Sequence, residues 1–142
     1  MIDIETLYHC FVQSRGVTTD TRRCEAGMMF FALRGENFDG NTYAAKALEQ
    51  GCAYAVVDNV EFADSSDSRI IHVENSLKAL QQLARHHRRQ LQTTIIGITG
   101  TNGKTTTKEL MATVLKQRYH VHYTQGNLNN HIGVPLTLLQ LT

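Results

Sequence analysis

The chain has 142 residues, 42% hydrophobic and 19% charged, with a formal net charge of +1. That length buries one good core or two small ones, and the balance is that of a soluble globular chain. Near-neutral charge gives no reason to expect nucleic acid or an anionic membrane as partner, and no stretch approaches membrane-spanning length. Cys10, Cys24 and Cys52 are odd in number and widely spaced, without a metal or redox pattern, so buried or idle thiols in a reducing cytoplasm are expected. The amino terminus carries no basic region before an apolar run, and nothing in it points to export.

Asp3 is placed to cap a first helix over residues 4 to 13, with Ile4, Leu7, Tyr8 and Phe11 on one face and an end near Gly16. Val17 to Arg23 reads as a short β-prone piece whose polar end offers an acid, a hydroxyl and a guanidinium; a solvated turn reads the same way. Met28 to Leu33 is a continuous apolar run, which suits a strand covered on both faces. The loop Arg34 to Gly40 then leads into a helix near residues 42 to 50, stopped by Gly51. Ala53 to Val57 is a second buried strand, and strand, helix, strand in that order predicts a right-handed parallel crossover. Ligands on such sheets gather at the carboxyl ends of the strands, where the Arg34 to Gly40 loop lies.

Residues 58 to 68 are polar and read as a surface loop, and Arg69 to Val73 as another strand. From Ser76, taken as a cap, Leu77, Leu80, Leu83, Ala84 and Leu91 recur at helical spacing. His86, His87, Arg88 and Arg89 near its end suit the helix dipole, either as a solvated helix end or as a phosphate contact. A domain boundary is expected near residue 92, giving domains over 1–92 and 93–142.

Thr94, Ile95, Ile96 and Ile98 predict a short buried strand running into a glycine turn and then a helix. Gly100 and Gly103 permit backbone angles closed to other residues, and the N-terminus of the following helix adds unpaired N–H groups and partial positive charge. The turn is therefore suited to hold an anion. Lys104 would reach the β- and γ-phosphates of ATP, and the Thr105 hydroxyl would hold Mg²⁺. The strict phosphate-loop pattern asks for glycine at position 98, which here is Ile98. The bland alternative is a strand-turn-helix junction with a solvated lysine.

Leu110, Met111, Val114 and Leu115 are expected to form the buried face of the helix after the loop. Val121 to Tyr123 reads as a strand, with His120 and His122 on one face; a two-histidine metal site lacks a third ligand at suitable spacing. Thr124 to Leu138, with Asn127, Asn129 and Asn130 before a proline-started helix, is rich in amide donors and acceptors. It suits either a polar ligand or a purely local turn.

The run Thr99-Gly-Thr-Asn-Gly-Lys-Thr105 resembles the nucleotide loop of the Mur ligase family, the ATP-dependent amide-forming enzymes of peptidoglycan precursor synthesis. Folylpolyglutamate synthases share much of it. Gly126-Asn-Leu-Asn-Asn-His-Ile-Gly-Val-Pro-Leu-Thr-Leu-Leu139 resembles the segment of the family member that adds D-alanyl-D-alanine to UDP-N-acetylmuramoyl-tripeptide. Thr19-Asp-Thr-Arg22, with Phe30 to Gly40, is similar to the uridine-nucleotide domain of the same enzyme. His131 departs from the acidic residue expected there in many relatives.

The resemblance implies a small amino-terminal α/β domain with parallel strands, followed by the start of a phosphate-loop (P-loop) ATPase α/β domain. It implies that Gly100, Thr101, Asn102, Gly103, Lys104, Thr105 and Thr106 bind ATP, that Thr105 holds Mg²⁺ and that Lys104 is catalytic. Thr21 and Arg22 would meet the uridine diphosphate, and Asn127 and Asn130 the sugar-peptide side. It further implies a monomeric cytoplasmic enzyme and a chain that is a fragment, inactive alone, whose remaining catalytic groups lie beyond Thr142. The rival readings are another ligase of the same family, a folate-type ligase, and a nucleotide-binding module that makes no bond.

Overall fold

The computed structural model describes residues 2–126 and 128–142. Four parallel strands, β1 (Val17–Thr18), β2 (Met29–Phe31), β3 (Tyr54–Val57) and β4 (Ile70–His72), lie side by side in chain order. Met29, Phe30 and Phe31 pair with Tyr54, Ala55 and Val56, and Ala55, Val56 and Val57 with Ile70, Ile71 and His72. The expected small α/β domain with parallel strands is present.

Alternation along the strands splits the core into two layers. Met29, Phe31, Leu33, Val56 and Ile71 face one side, where they meet Leu7 and Phe11 of α1 (Ile4–Gln13) and Leu80 and Leu83 of α3 (Ser76–Gln90). Phe30, Ala32, Ala55 and Val57 face the other, against Ala44, Ala47 and Leu48 in and beside α2 (Ala44–Glu49). Strands covered on both faces have no polar side to show, which is why the runs at 28–33 and 53–57 are uninterrupted in the sequence.

Local signals set most boundaries. Asp3 Oδ1 accepts from Thr6 N–H at 2.8 Å and caps α1 as expected. The cap of α3 is Asn75, whose Oδ1 accepts from Lys78 N–H at 2.8 Å; Ser76 is the first helical residue, buried, with no partner for its hydroxyl among the described residues. The end of α3 is not uniformly solvated either. His87 is buried between Tyr8 and Phe11, its Nδ1 3.3 Å from the Tyr8 hydroxyl and its Nε2 2.8 Å from the Leu141 carbonyl.

Residues 93–142 depart most from expectation. α4 (Lys104–Leu115) and α5 (Gly133–Leu138) form, but 94–98 and 121–123 are not strands. A strand exists through its neighbours, and among the described residues none lies beside either segment. Ile95 and Ile96 are exposed, as are Leu110 and Val114 on α4, at 63% and 70%. Of the face predicted for α4, Leu110 and Val114 are thus uncovered and Met111 and Leu115 only half-buried; the buried residue of the helix is Ala112, which was not predicted. By contrast α5 packs on α3, and Leu139 joins the core made by Leu7, Phe11, Leu80 and Leu83.

Candidate functional site

Two groups of polar residues carry the chemistry predicted from sequence. The first is the Gly100 to Thr106 loop. Gly103 stands immediately before α4 with φ 77°, a left-handed angle that favours glycine, and Gly100 has φ 155°. Thr107 N–H donates to the Gly103 carbonyl at 2.9 Å, the first bond of the helix. The N–H groups of Lys104, Thr105 and Thr106 come before it and have no acceptor within the helix. They sit at the positive end of a twelve-residue helix dipole.

The loop is open. Thr99 to Thr107 are exposed, and a Cβ built on Gly103 would meet nothing within 4 Å. Lys104 curls back so that its Nζ donates to the Gly100 carbonyl. The residues thus bring together a cation, two threonine hydroxyls and a run of N–H donors, a donor set that fits a phosphate chain and its counter-ion.

The second group lies where the parallel strands end. After β1, Asp20 caps a 3-10 turn over Thr21–Arg23 and grips Arg22: its carboxylate accepts from Arg22 N–H at 2.9 Å, Nε at 3.0 Å and Nη2 at 2.7 Å. The side-chain bond from Arg22, with its charge, holds the Asp20 carboxyl down to about 2. Thr21 is half-buried and Arg22 exposed, in the turn that leaves the sheet edge.

After β2, the loop 34–39 closes on itself through Gly35 N–H to the Phe38 carbonyl at 2.9 Å and Gly40 N–H to the Leu33 carbonyl at 2.8 Å. Gly40 is required by this approach, since a Cβ there would lie 2.5 Å from the Leu33 oxygen.

Behind the loop is a network that the sequence reading missed. Asn41, 0% exposed, uses its whole amide: Oδ1 accepts from Asp58 and Asn59 N–H at 2.9 and 3.2 Å, and Nδ2 donates to Asp39 and Asp58 at 2.6 and 3.0 Å. Asp58 also accepts from Arg34 Nε at 2.9 Å and from Ser76 N–H at 3.0 Å. Burial alone would raise the Asp58 carboxyl, but the bonds from Ser76, Asn41 and Arg34 outweigh it and hold the carboxyl below its ordinary value. An acid directly after a buried strand was the available signal.

Other predicted residues fall differently. Asn130 Oδ1 accepts from Ile132 and Gly133 N–H at 3.1 and 2.7 Å, so its carbonyl starts α5. Asn127 lies outside the described residues. No group of three or more metal-ligating side chains is found among the described residues, His120 and His122 included. Cys52 is buried, and burial, then the neighbouring Cys24 thiol, push its thiol well above the ordinary range. No helix among the described residues is long and apolar enough to cross a membrane.

A parallel α/β lobe followed by a glycine-lysine-threonine loop at a helix N-terminus defines an α/β protein with a turn suited to an anion. Residues 13–88 match the model described as the Mur ligase family, catalytic domain, and residues 98–142 that of the Mur ligase middle domain. The chain belongs to the Mur ligase family.

Among curated relatives, UDP-N-acetylmuramoyl-tripeptide–D-alanyl-D-alanine ligase of Bacillus subtilis is 46% identical over 126 residues, 89% of this chain and 28% of its own. The proteins of that name from Synechocystis and Escherichia coli are 45% and 40% identical, over 92% and 89% of this chain and 29% and 27% of theirs. Of solved structures, MurF from Acinetobacter baumannii matches 98% of this chain and 33% of its own, with TM-score 0.83 and 32% identity. MurF ligase from Thermotoga maritima in complex with ADP matches 98% and 30%, with TM-score 0.78 and 32% identity. The chain spans somewhat over a quarter of the length of these curated relatives.

Proposed function

We propose that this chain is the amino-terminal part of an ATP-dependent ligase that joins D-alanyl-D-alanine to UDP-N-acetylmuramoyl-tripeptide, a step in making peptidoglycan precursor. The observation that carries the reading is the open Gly100 to Thr106 loop at the N-terminus of α4. Relatives named for this reaction, alike over nearly the whole chain, support the choice of substrate.

A carboxylate is a poor electrophile because attack on it would have to expel oxide. Transfer of the γ-phosphoryl group of ATP converts it to an acyl phosphate and releases ADP; the amine of D-alanyl-D-alanine then attacks the acyl carbon and expels phosphate, leaving the amide. In this reading Lys104 turns from the Gly100 carbonyl to the β- and γ-phosphates and, with the N–H groups of residues 104 to 106, offsets the charge on the transferring group. Gly100, Thr101, Asn102 and Gly103 wrap the phosphates. The Thr105 hydroxyl holds Mg²⁺, which when bound neutralises phosphate charge.

Thr21 and Arg22 contact the uridine diphosphate, and Asn127 and Asn130 bind the sugar-peptide side of the substrate. Residues 1–92 form the substrate lobe and 93–142 begin the ATP domain. Further strands of the full-length protein cover Ile95, Ile96 and the apolar face of α4. The enzyme is a cytoplasmic monomer, and the 142-residue chain alone is inactive.

The test is a full-length enzyme carrying Lys104→Ala. Loss of one oriented charge on the transferring phosphoryl predicts a fall in kcat of at least about a hundredfold, with the UDP-substrate still bound. Undiminished ATP-dependent ligation would exclude the role.

A further inference from the structure

Because all four strands run parallel, the chain leaves every strand at one shared edge of the sheet. Arg22 follows β1 there, and Arg34 follows β2. Arg34 is gripped from behind. Its Nε donates to Asp58 Oδ1 at 2.9 Å and its Nη2 to the Asp58 carbonyl at 3.3 Å, while Nη1 donates to nothing among the described residues. The Asp58 side chain is only 8% exposed, whereas that of Arg34 is 53% exposed.

Asp58 is a fixed post. Asn41 Nδ2 and the Ser76 N–H hold its two carboxylate oxygens, and Ser76 opens α3, so part of the Asp58 charge is already met by a helix N-terminus. The outer face of the Arg34 guanidinium therefore stays cationic. Its rotamer freedom has been surrendered on folding rather than on meeting a ligand, which is the condition for preorganised binding. A planar fork with donors still available suits a pair of phosphoryl oxygens better than a lone ammonium would.

We propose that Arg34 contacts the diphosphate of the uridine-nucleotide substrate and helps set its specificity, with Asp58 as the positioning residue behind it. This rests on the ligase reading above. The molecule supplies its own control in Arg69. That side chain is tethered in the same manner, Nε and Nη2 to Asp67 at 2.9 and 2.6 Å, and is 52% exposed, but it precedes β4 and lies at the opposite edge.

The test uses the full-length ligase carrying Arg34→Gln, Arg34→Lys, Asp58→Asn or Arg69→Gln. Arg34→Gln should raise KM for UDP-N-acetylmuramoyl-tripeptide about tenfold, the loss expected for one charge-assisted hydrogen bond. Its kcat and its KM for ATP should stay within about twofold. UDP as a competitive inhibitor should weaken by the same factor while uridine does not, a split that a merely structural role would not produce. Arg34→Lys, which keeps the charge and loses the fork, and Asp58→Asn, which frees the fork, should each fall between wild type and Arg34→Gln. Arg69→Gln should match wild type.

Thermal melts identify any variant that fails to fold. Should Arg34→Gln do so by stranding Asp58, the double variant Arg34→Gln/Asp58→Asn removes both charges and must show the same UDP-specific loss. A folded single or double variant inhibited by UDP as strongly as wild type overturns the assignment. If wild type neither turns over the muramoyl substrate nor responds to UDP, the ligase reading falls and takes the assignment with it.

Discussion

Asn41→Leu replaces a fully buried amide by an apolar side chain of similar size, and its cost can be worked from the bonds it breaks. The N–H groups of Asp58 and Asn59 lose their shared acceptor, at 2.9 and 3.2 Å, and the Asp39 and Asp58 carboxylates lose a donor each. An orphaned buried N–H costs about 1–3 kcal/mol, so the pair costs about 2–6. The carboxylates keep other partners, Asn41 N–H for Asp39 and Arg34 with Ser76 for Asp58, so they add less. Burying leucine returns about 2 kcal/mol.

Taking the middle of that range and about 1 kcal/mol for the two carboxylates, the net expectation is a loss of about 3 kcal/mol. Urea unfolding of the 142-residue chain, followed by far-ultraviolet dichroism, reads it as a lower midpoint at unchanged slope. Asn41→Asp keeps the acceptor but sets a third carboxylate against Asp39 and Asp58, and should be at least as destabilising at neutral pH. A loss below about 1 kcal/mol in Asn41→Leu would refute the reasoning, because the two N–H groups would then have found other acceptors or water.

Two further outcomes follow from the same framework. The folded Asp58 carboxyl titrates below its usual value of 3.8, so its contribution is complete above that pH and disappears as pH falls through the lower, folded value. Asp58→Asn should therefore be less stable than wild type at pH 7, with the two urea midpoints converging below about pH 3.8; parallel curves down to pH 2.5 would contradict this. Leu139→Ala should cost about 2–4 kcal/mol at the seat of α5 on α3. Amide exchange within α5 should accelerate while that of β2 and β3 stays slow, and unchanged α5 protection would show that Leu139 does not hold the helix.

The lobe was legible where one physical cause dominates over a short span. Apolar runs such as Met28 to Leu33 have only one use in so small a chain, and Asp3 before an amphipathic stretch has only one place to put its oxygen. What escaped depends on residues far apart in sequence. Asn41 and Asp58 meet only because β3 brings residue 58 back beside the loop that follows β2. His87 looks like part of a basic helix end until α1 and Leu141 are laid over it.

Asn75 and Ser76 are both good caps by type, and only the backbone turn decides that Asn75 acts and Ser76 is buried. Ile95, Ile96 and Leu110 were expected to be buried and are exposed: apolarity says that a side chain gains from being covered, not what lies beside it. For the candidate site, the glycine turn before α4 and the Thr21–Arg23 turn were readable as local geometry. The tether behind Arg34 was not.

His87 reaches further than its own pocket. A carbonyl can only accept, so Nε2 must carry the proton toward Leu141, and in the neutral ring Nδ1 is left to receive the Tyr8 hydroxyl. One imidazole thereby buckles residue 8 to residue 141, joining stretches that are neighbours in space and nearly the whole sequence apart. Damage to either strap loosens the other: trimming the peptide near 141 should be felt first in the opening helix.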